Sequence, residues 1–216
     1  MSTAQPDLGF VHRFVPGKQA GRTPLLVLHG SGGDEHDLIP LAERIAPGHA
    51  LVSPRGQVND QGITRFFRRA PDGAWDLDDL KHRTSELADF LRSARGAYRL
   101  PKPLVLGYSN GANIGWSLLL MEPGALAGAI LLRAMLPFDP RPLPDLSGIP
   151  VLMIAAHDDE LIPVERAGLL ATLLGEAGAD VTYEVLRSGH GLTDEDLKLA
   201  SEWLAARRPT MAIRTP

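Results

Sequence analysis

The chain contains no cysteine in its 216 residues. That absence excludes disulfide staples, thiolate nucleophiles and cysteine-based metal sites. Nor is there an excess of positive charge. The 22 Lys+Arg against 26 Asp+Glu leave a formal net charge of −4, which provides no electrostatic footprint for nucleic acid. The opening "MSTAQPDLGF" lacks the basic and apolar regions of a signal peptide. No uncharged apolar run reaches the length needed to cross a bilayer, and there is no internal repeat or low-complexity tract. Hydrophobic residues at 44% and charged residues at 22% are ordinary for a globular protein. The expectation is one domain over 1–216, with tails at about 1–9 and 208–216, cytoplasmic and without membrane insertion.

What is present is alternation. "PLLVLHG" (24–30), "ALVSP" (50–54), "PLVLGYS" (103–109), "LAGAILLRA" (126–134), "PVLMIAAH" (150–157) and "VTYEVL" (181–186) are short apolar runs of the kind buried on both faces of a sheet. Helical patterns over about 37–46, 78–95, 111–121, 164–175 and 194–207 separate them. Strands alternating with helices predict an α/β fold with a doubly wound, mostly parallel sheet. Function in such sheets gathers at the carboxyl ends of the strands. The stretch "LPFDPRPLPDLSGIP" (136–150) is the longest loop, too short to form a lid domain.

At one strand-to-helix seam the chain reads G-Y-S-N-G (107–111), the G-x-S-x-G pattern of a nucleophile elbow. A serine hydroxyl needs an adjacent base to take its proton. Of seven histidines, His12 and His49 precede strands, His82 lies within a helix and His36 opens one. His29 in "LHG" reads as a satisfied structural residue. His157 and His190 remain, and His190, between glycines after the last strand, is the candidate base. The acid is sought in "HDDELIP", where Asp159 fits G/A-x-x-D-x-x-[VI]-P ending at Pro163; Asp158 and Glu160 read as helix-capping charges, and Asp139 is a second candidate. The order Ser109, Asp159, His190 is that of an α/β-hydrolase. The backbone amides of Asn110 and of Ser31, in "HGSGG", are the candidate oxyanion-hole donors. "GSGG" has no following lysine and is not a P-loop. A metal site from His157, Asp158 and Asp159 is disfavoured because neighbouring residues point apart.

The segments "LHGSGGDEHDLIPLA", "SPRG", "RFFRR", "LGYSNGANI", "HDDELIP" and "SGHGL" resemble the phospholipase/carboxylesterase family of α/β-hydrolases, which includes bacterial carboxylesterases and acyl-protein thioesterases. The resemblance covers about residues 24 to 206. The stretch "GQVNDQGITRFFRR" is similar to a bacterial branch of hydroquinone-stress carboxylesterases. The resemblance implies an α/β-hydrolase fold, no cofactor and no metal, and hydrolysis of carboxylic esters or thioesters. It carries nucleophile, acid and base to Ser109, Asp159 and His190. Two departures accompany it: Ala156 stands where a glycine is usual, and "RAM" stands for H-P-M, which places Arg133 as a candidate modifier of the pocket rim.

The function expected is a serine carboxylesterase acting on small ester substrates of short acyl chain, in an open cleft rimmed by Trp75, Met135, Leu136 and Leu161. A thioesterase of the same mechanism and a non-catalytic ligand-binding relative are the alternatives. A second copy of the chain is the one protein partner left open, as a homodimer. Arg65, Arg68 and Arg69 are expected to pair with acids such as Asp72, Asp76 and Asp78, against the alternative of clamping a substrate carboxylate. Phe66 and Phe67 are adjacent, so in extended chain only one would face the core.

Overall fold

The computed structural model describes residues 6–19, 21–69, 74–136 and 140–207. In chain order the elements are β1 (His12–Val15), β2 (Leu25–Leu28), α1 (Ile39–Ile45), β3 (Leu51–Pro54), β4 (Val58–Asp60), β5 (Ile63–Arg65), α2 (Leu77–Tyr98), β6 (Leu104–Tyr108), α3 (Asn110–Met121), β7 (Gly128–Leu132), β8 (Pro150–Ala156), α4 (Val164–Glu176), β9 (Asp180–Leu186) and α5 (Asp194–Ala206).

Five of the six apolar runs become the middle of a seven-stranded sheet ordered β1-β3-β2-β6-β7-β8-β9. The run at 181–186 is instead the edge strand β9, which has no fully buried residue because only one of its sides is paired. All neighbours in it are parallel except β1 with β3. Because side chains alternate across a strand, each run feeds two cores. Leu26, Leu28, Val105 and Met153 join one cluster, packed with Leu87, Trp116 and Leu170 of α2, α3 and α4. Leu25, Val27, Leu106 and Ile154 join the other, packed with Ile45 and Trp203 of α1 and α5. All four residues of β2 are wholly buried, and each such side chain contributes roughly 1.5–3 kcal/mol.

The strand order reverses at β2, which pairs with β3 on one side and β6 on the other. A crevice opens at such a switch point, beyond the carboxyl ends of the strands. The loop 29–33 and Ser109 both emerge there.

Three strands were not expected from sequence. β1 lies at the sheet edge with only His12 buried, so it shows no continuous apolar run. β4 and β5 form a separate two-stranded hairpin, turned by Gln61 and Gly62 at φ 52 and 89, the signs of a type I′ turn. Just past it, both Phe66 and Phe67 are 2% exposed. The expectation that only one could be buried fails because the chain there bends rather than running as extended strand.

Candidate active site

β6 ends at Tyr108, and the chain turns through Ser109 into α3. Ser109 has φ 51 and ψ −113, a conformation rare for any residue with a Cβ. The turn is made by close passage of backbones. A Cβ on Gly111 would fall 2.1 Å from the Leu28 carbonyl oxygen, and one on Gly107 would fall 2.7 Å from the Ala112 Cα. Glycine is required at both positions on steric grounds. Ser109 is also the N-cap residue of α3, where a serine hydroxyl ordinarily accepts a bond from the first helical amides. Here it makes no such bond and lies 3.0 Å from His190 Nε2.

The imidazole continues the chain of contacts. His190 Nδ1 is 2.8 Å from Asp159 Oδ2, and the Asp159 side chain is fully buried. Its other oxygen, Oδ1, accepts the amides of Leu161 at 2.8 Å and Ile162 at 3.0 Å. One carboxylate thus tightens the turn ahead of α4 and contacts the histidine, while α4 itself, with Pro163 as its N-cap, has no side-chain cap. Asp158 instead lies 2.8 Å from His157, both on the exposed surface. Asp139 lies outside the described residues. Among the described residues no cluster of three His, Asp or Glu could hold a metal ion.

The loop after β2 faces Ser109 across the crevice. His29 is wholly buried. Its Nε2 accepts the Gly56 amide at 2.9 Å, so its Nδ1–H donates to the Gly30 carbonyl at 2.7 Å. Burial lowers its pKa despite that bond and nearby carboxylates, which keeps it neutral and structural. Within the loop, the Gly32 amide donates to the Thr64 carbonyl at 2.8 Å and the Gly33 amide to Gly30 at 3.2 Å. Among the described residues that leaves the Ser31 amide uncommitted on this side, opposite the start of α3 with its unpaired first amides.

The β4–β5 hairpin braces both sides. Arg65 donates to Ser31 Oγ at 2.5 Å and to Asp60 at 3.0 Å, while the Phe66 amide donates to Asn110 Oδ1 at 2.7 Å. Arg68 turns away to Asp76 at 2.8 Å. Of the acids considered for the arginines, Asp76 is used in this way and Asp72 lies outside the described residues.

A cleft of about 420 Å³ opens over Ser109, with Arg65, Phe67, Trp75, Tyr108 and Ile162 in its walls. A second groove of about 250 Å³, which holds Met135, adjoins it through Arg69, Trp75 and Leu161. Leu161 stands 65% exposed at the shared edge. Leu136 departs from the expected rim: it packs against the core cluster, and its amide donates to the Arg166 carbonyl at 3.2 Å. Arg133, expected near the rim, has no exposure at all. Asn113 was not anticipated. Buried at the cleft floor, it accepts the Met135 amide on Oδ1 at 3.0 Å.

The parallel sheet, the strained serine turn and a histidine bridging serine and carboxylate define an α/β-hydrolase. No family model matches the chain. The chain is 41% identical over 181 residues to "Putative hydrolase MhqD" of Bacillus subtilis (strain 168), covering 83% of this chain and 90% of that one. Among solved structures, the Bacillus cereus carboxylesterase aligns with a TM-score of 0.89 and 39% identity, over 93% of this chain and 95% of that one. A carboxylesterase from Mesorhizobium loti aligns at 0.87 and 38%, over 93% and 97%. The chain belongs to the carboxylesterase/phospholipase family of α/β-hydrolases. Among the described residues no helix is long and apolar enough to cross a membrane.

Proposed function

We propose that the protein is a serine carboxylesterase working through an acyl-enzyme on small esters. The observation that carries this reading is the unbroken contact chain from Ser109 Oγ to His190 at 3.0 Å and from His190 to Asp159 at 2.8 Å. Membership of a family containing carboxylesterases supports it.

His190 accepts the hydroxyl proton through Nε2 as Ser109 Oγ attacks the ester carbonyl carbon. Asp159 holds the ring with its Nδ1–H inward and stabilises the imidazolium that forms. The developing oxyanion lies between the amides of Ser31 and Asn110, at the positive end of α3. His190 then gives its proton to the leaving alkoxide, releasing the alcohol. In the second half it takes a proton from the water that attacks the acyl carbon, then gives it to Ser109 Oγ as the bond to the acyl carbon breaks and the carboxylic acid leaves.

A fluorescent alkyl phosphonate tests the reading together with ester turnover. One equivalent of label on Ser109, abolished in Ser109→Ala along with hydrolysis, is the expected result. Full hydrolysis by Ser109→Ala would overturn it. A paired series of oxygen esters and thioesters with identical acyl groups then decides which leaving group the site prefers.

A further inference from the structure

His190 sits between two glycines that are not there for space. A Cβ at Gly191 would meet nothing within 4 Å, and one at Gly189 only the Asp158 carbonyl oxygen at 3.7 Å. Both positions accept a side chain, so what glycine adds is torsional freedom. A general base on a double hinge would wander unless something outside the loop restrained it.

The restraint comes from a residue far away in sequence. Arg133 follows β7 at φ 56, and its amide donates to the Ile154 carbonyl at 2.9 Å. Its fully buried guanidinium reaches beneath the loop. Nε donates to the Gly189 carbonyl at 3.3 Å, and Nη2 to the Gly191 carbonyl at 3.2 Å and Ser188 Oγ at 3.3 Å. Nη1 adds a contact to the Ile154 carbonyl at 3.3 Å. The carbonyl between them, that of His190, accepts Tyr108 OH at 3.1 Å. Three consecutive carbonyls around the base are therefore held from below.

Distances of 3.2–3.3 Å mark individually weak bonds. The strong contact is the two-pronged one to Asp196, at 2.7 and 3.0 Å. Asp196 in turn accepts the amide and hydroxyl of Thr193 at 2.7 and 2.8 Å, closing the capping box of α5. The carboxylate fixes the fork, and the fork fixes the loop. A buried ion pair is a poor stabiliser compared with apolar side chains of the same volume. Its geometry here is spent on the peptide groups that carry the base.

We propose that Arg133, anchored by Asp196, is a positioning residue for the general base. It holds the 188–191 loop so that His190 meets Ser109 and Asp159 at once. This inference rests on the esterase reading above. Arginine is required rather than any cation, because only a planar fork reaches both carbonyls and the carboxylate together.

Two variants test it, with kcat, KM, phosphonate labelling rate and melting temperature read for each. Arg133→Lys keeps the charge but loses the fork. Arg133→Met with Asp196→Asn removes both charges, leaving no uncompensated carboxylate. Both are expected to fold and to lose about 10²-fold in kcat and in labelling rate, the order attached to a misplacement of about 1 Å, with KM little changed. Wild-type kcat in Arg133→Lys would overturn the requirement for the fork. A folded double variant with wild-type kcat, or a double variant that fails to fold, would overturn the positioning role and leave the pair as part of the fold. A wild-type protein without esterase turnover would instead sink the functional reading beneath it.

Discussion

The guanidinium of Arg65 donates to the hydroxyl of Ser31 at 2.5 Å. The amide of the next residue, Phe66, donates to Asn110 Oδ1 at 2.7 Å. One hairpin therefore reaches both residues whose amides flank the proposed oxyanion position. Arg65→Met removes the first tie while keeping most of the side-chain volume. It is expected to lower kcat by less than the roughly 10²–10³-fold that follows removal of an oxyanion donor itself. Steady-state kinetics on a single activated ester measures this; an unchanged kcat would show that the loop holds its shape unaided.

Ser109→Ala and His190→Ala are expected to abolish nearly all esterase activity while melting like the parent. Asp159→Asn is expected to cost on the order of 10⁴-fold in kcat, because an amide cannot enforce the same tautomer. Asp139→Asn is the control and should be mild. The reverse ranking of the two aspartates would reassign the acid.

His29 makes stability sensitive to acid. Burial, against a weaker opposing pull from the Gly30 bond and nearby carboxylates, lowers its pKa below the ordinary 6.5. Below 6.5 the unfolded chain takes up a proton that the folded chain does not, so stability is lost as pH falls through and below that value. Above it, this histidine contributes no pH dependence. His29→Asn should be less stable at neutral pH by about 1–3 kcal/mol, since buried partners are left poorly satisfied, but should lose this part of the acid sensitivity. Melting curves of both proteins between pH 5 and 8 check it.

The elbow glycines should divide sharply from the loop glycines. Gly111→Ala forces an atom to 2.1 Å from the Leu28 carbonyl oxygen, whereas Gly191→Ala meets nothing within 4 Å. The first is expected to misfold or melt far below the parent, and the second to melt close to it. Equal melting temperatures would contradict the packing at the turn.

Substrate size follows from the walls. The apolar surface facing Ser109 comes from Phe67, Trp75, Leu161 and Ile162. Each methylene buried there gains about 0.8 kcal/mol only while wall remains to cover it. In a p-nitrophenyl ester series from acetate to palmitate, kcat/KM is expected to peak at short acyl chains, with no jump at the micellar threshold. A maximum at long chains would refute this.

The parts legible in the sequence were those whose physics is local or repetitive. β2, β6, β7 and β8 are buried on both faces, and so read as continuous apolar runs. Ser109 was marked by its flanking glycines, His190 and Asp159 by loops at strand ends. The hairpin of β4 and β5 was not, because "VND" and "ITR" are three-residue, largely polar strands. Arg133 and Asp196 lie 63 residues apart, and charges so separated read as surface until the fold brings them together. Leu136 was misplaced for a related reason: which way a side chain turns after a strand depends on the helix beside it, here α4.

The contorted turn at Ser109 has a historical side. Holding a residue with a Cβ at φ 51, ψ −113 costs on the order of 1–3 kcal/mol, and a glycine at 109 would relieve much of that strain. A descendant released from hydrolysis, and kept only to hold a ligand, would gain robustness by drifting to glycine there. On the proposed mechanism only turnover offsets that strain, so the residue at position 109 would separate a lineage that hydrolyses from one that has retired to binding.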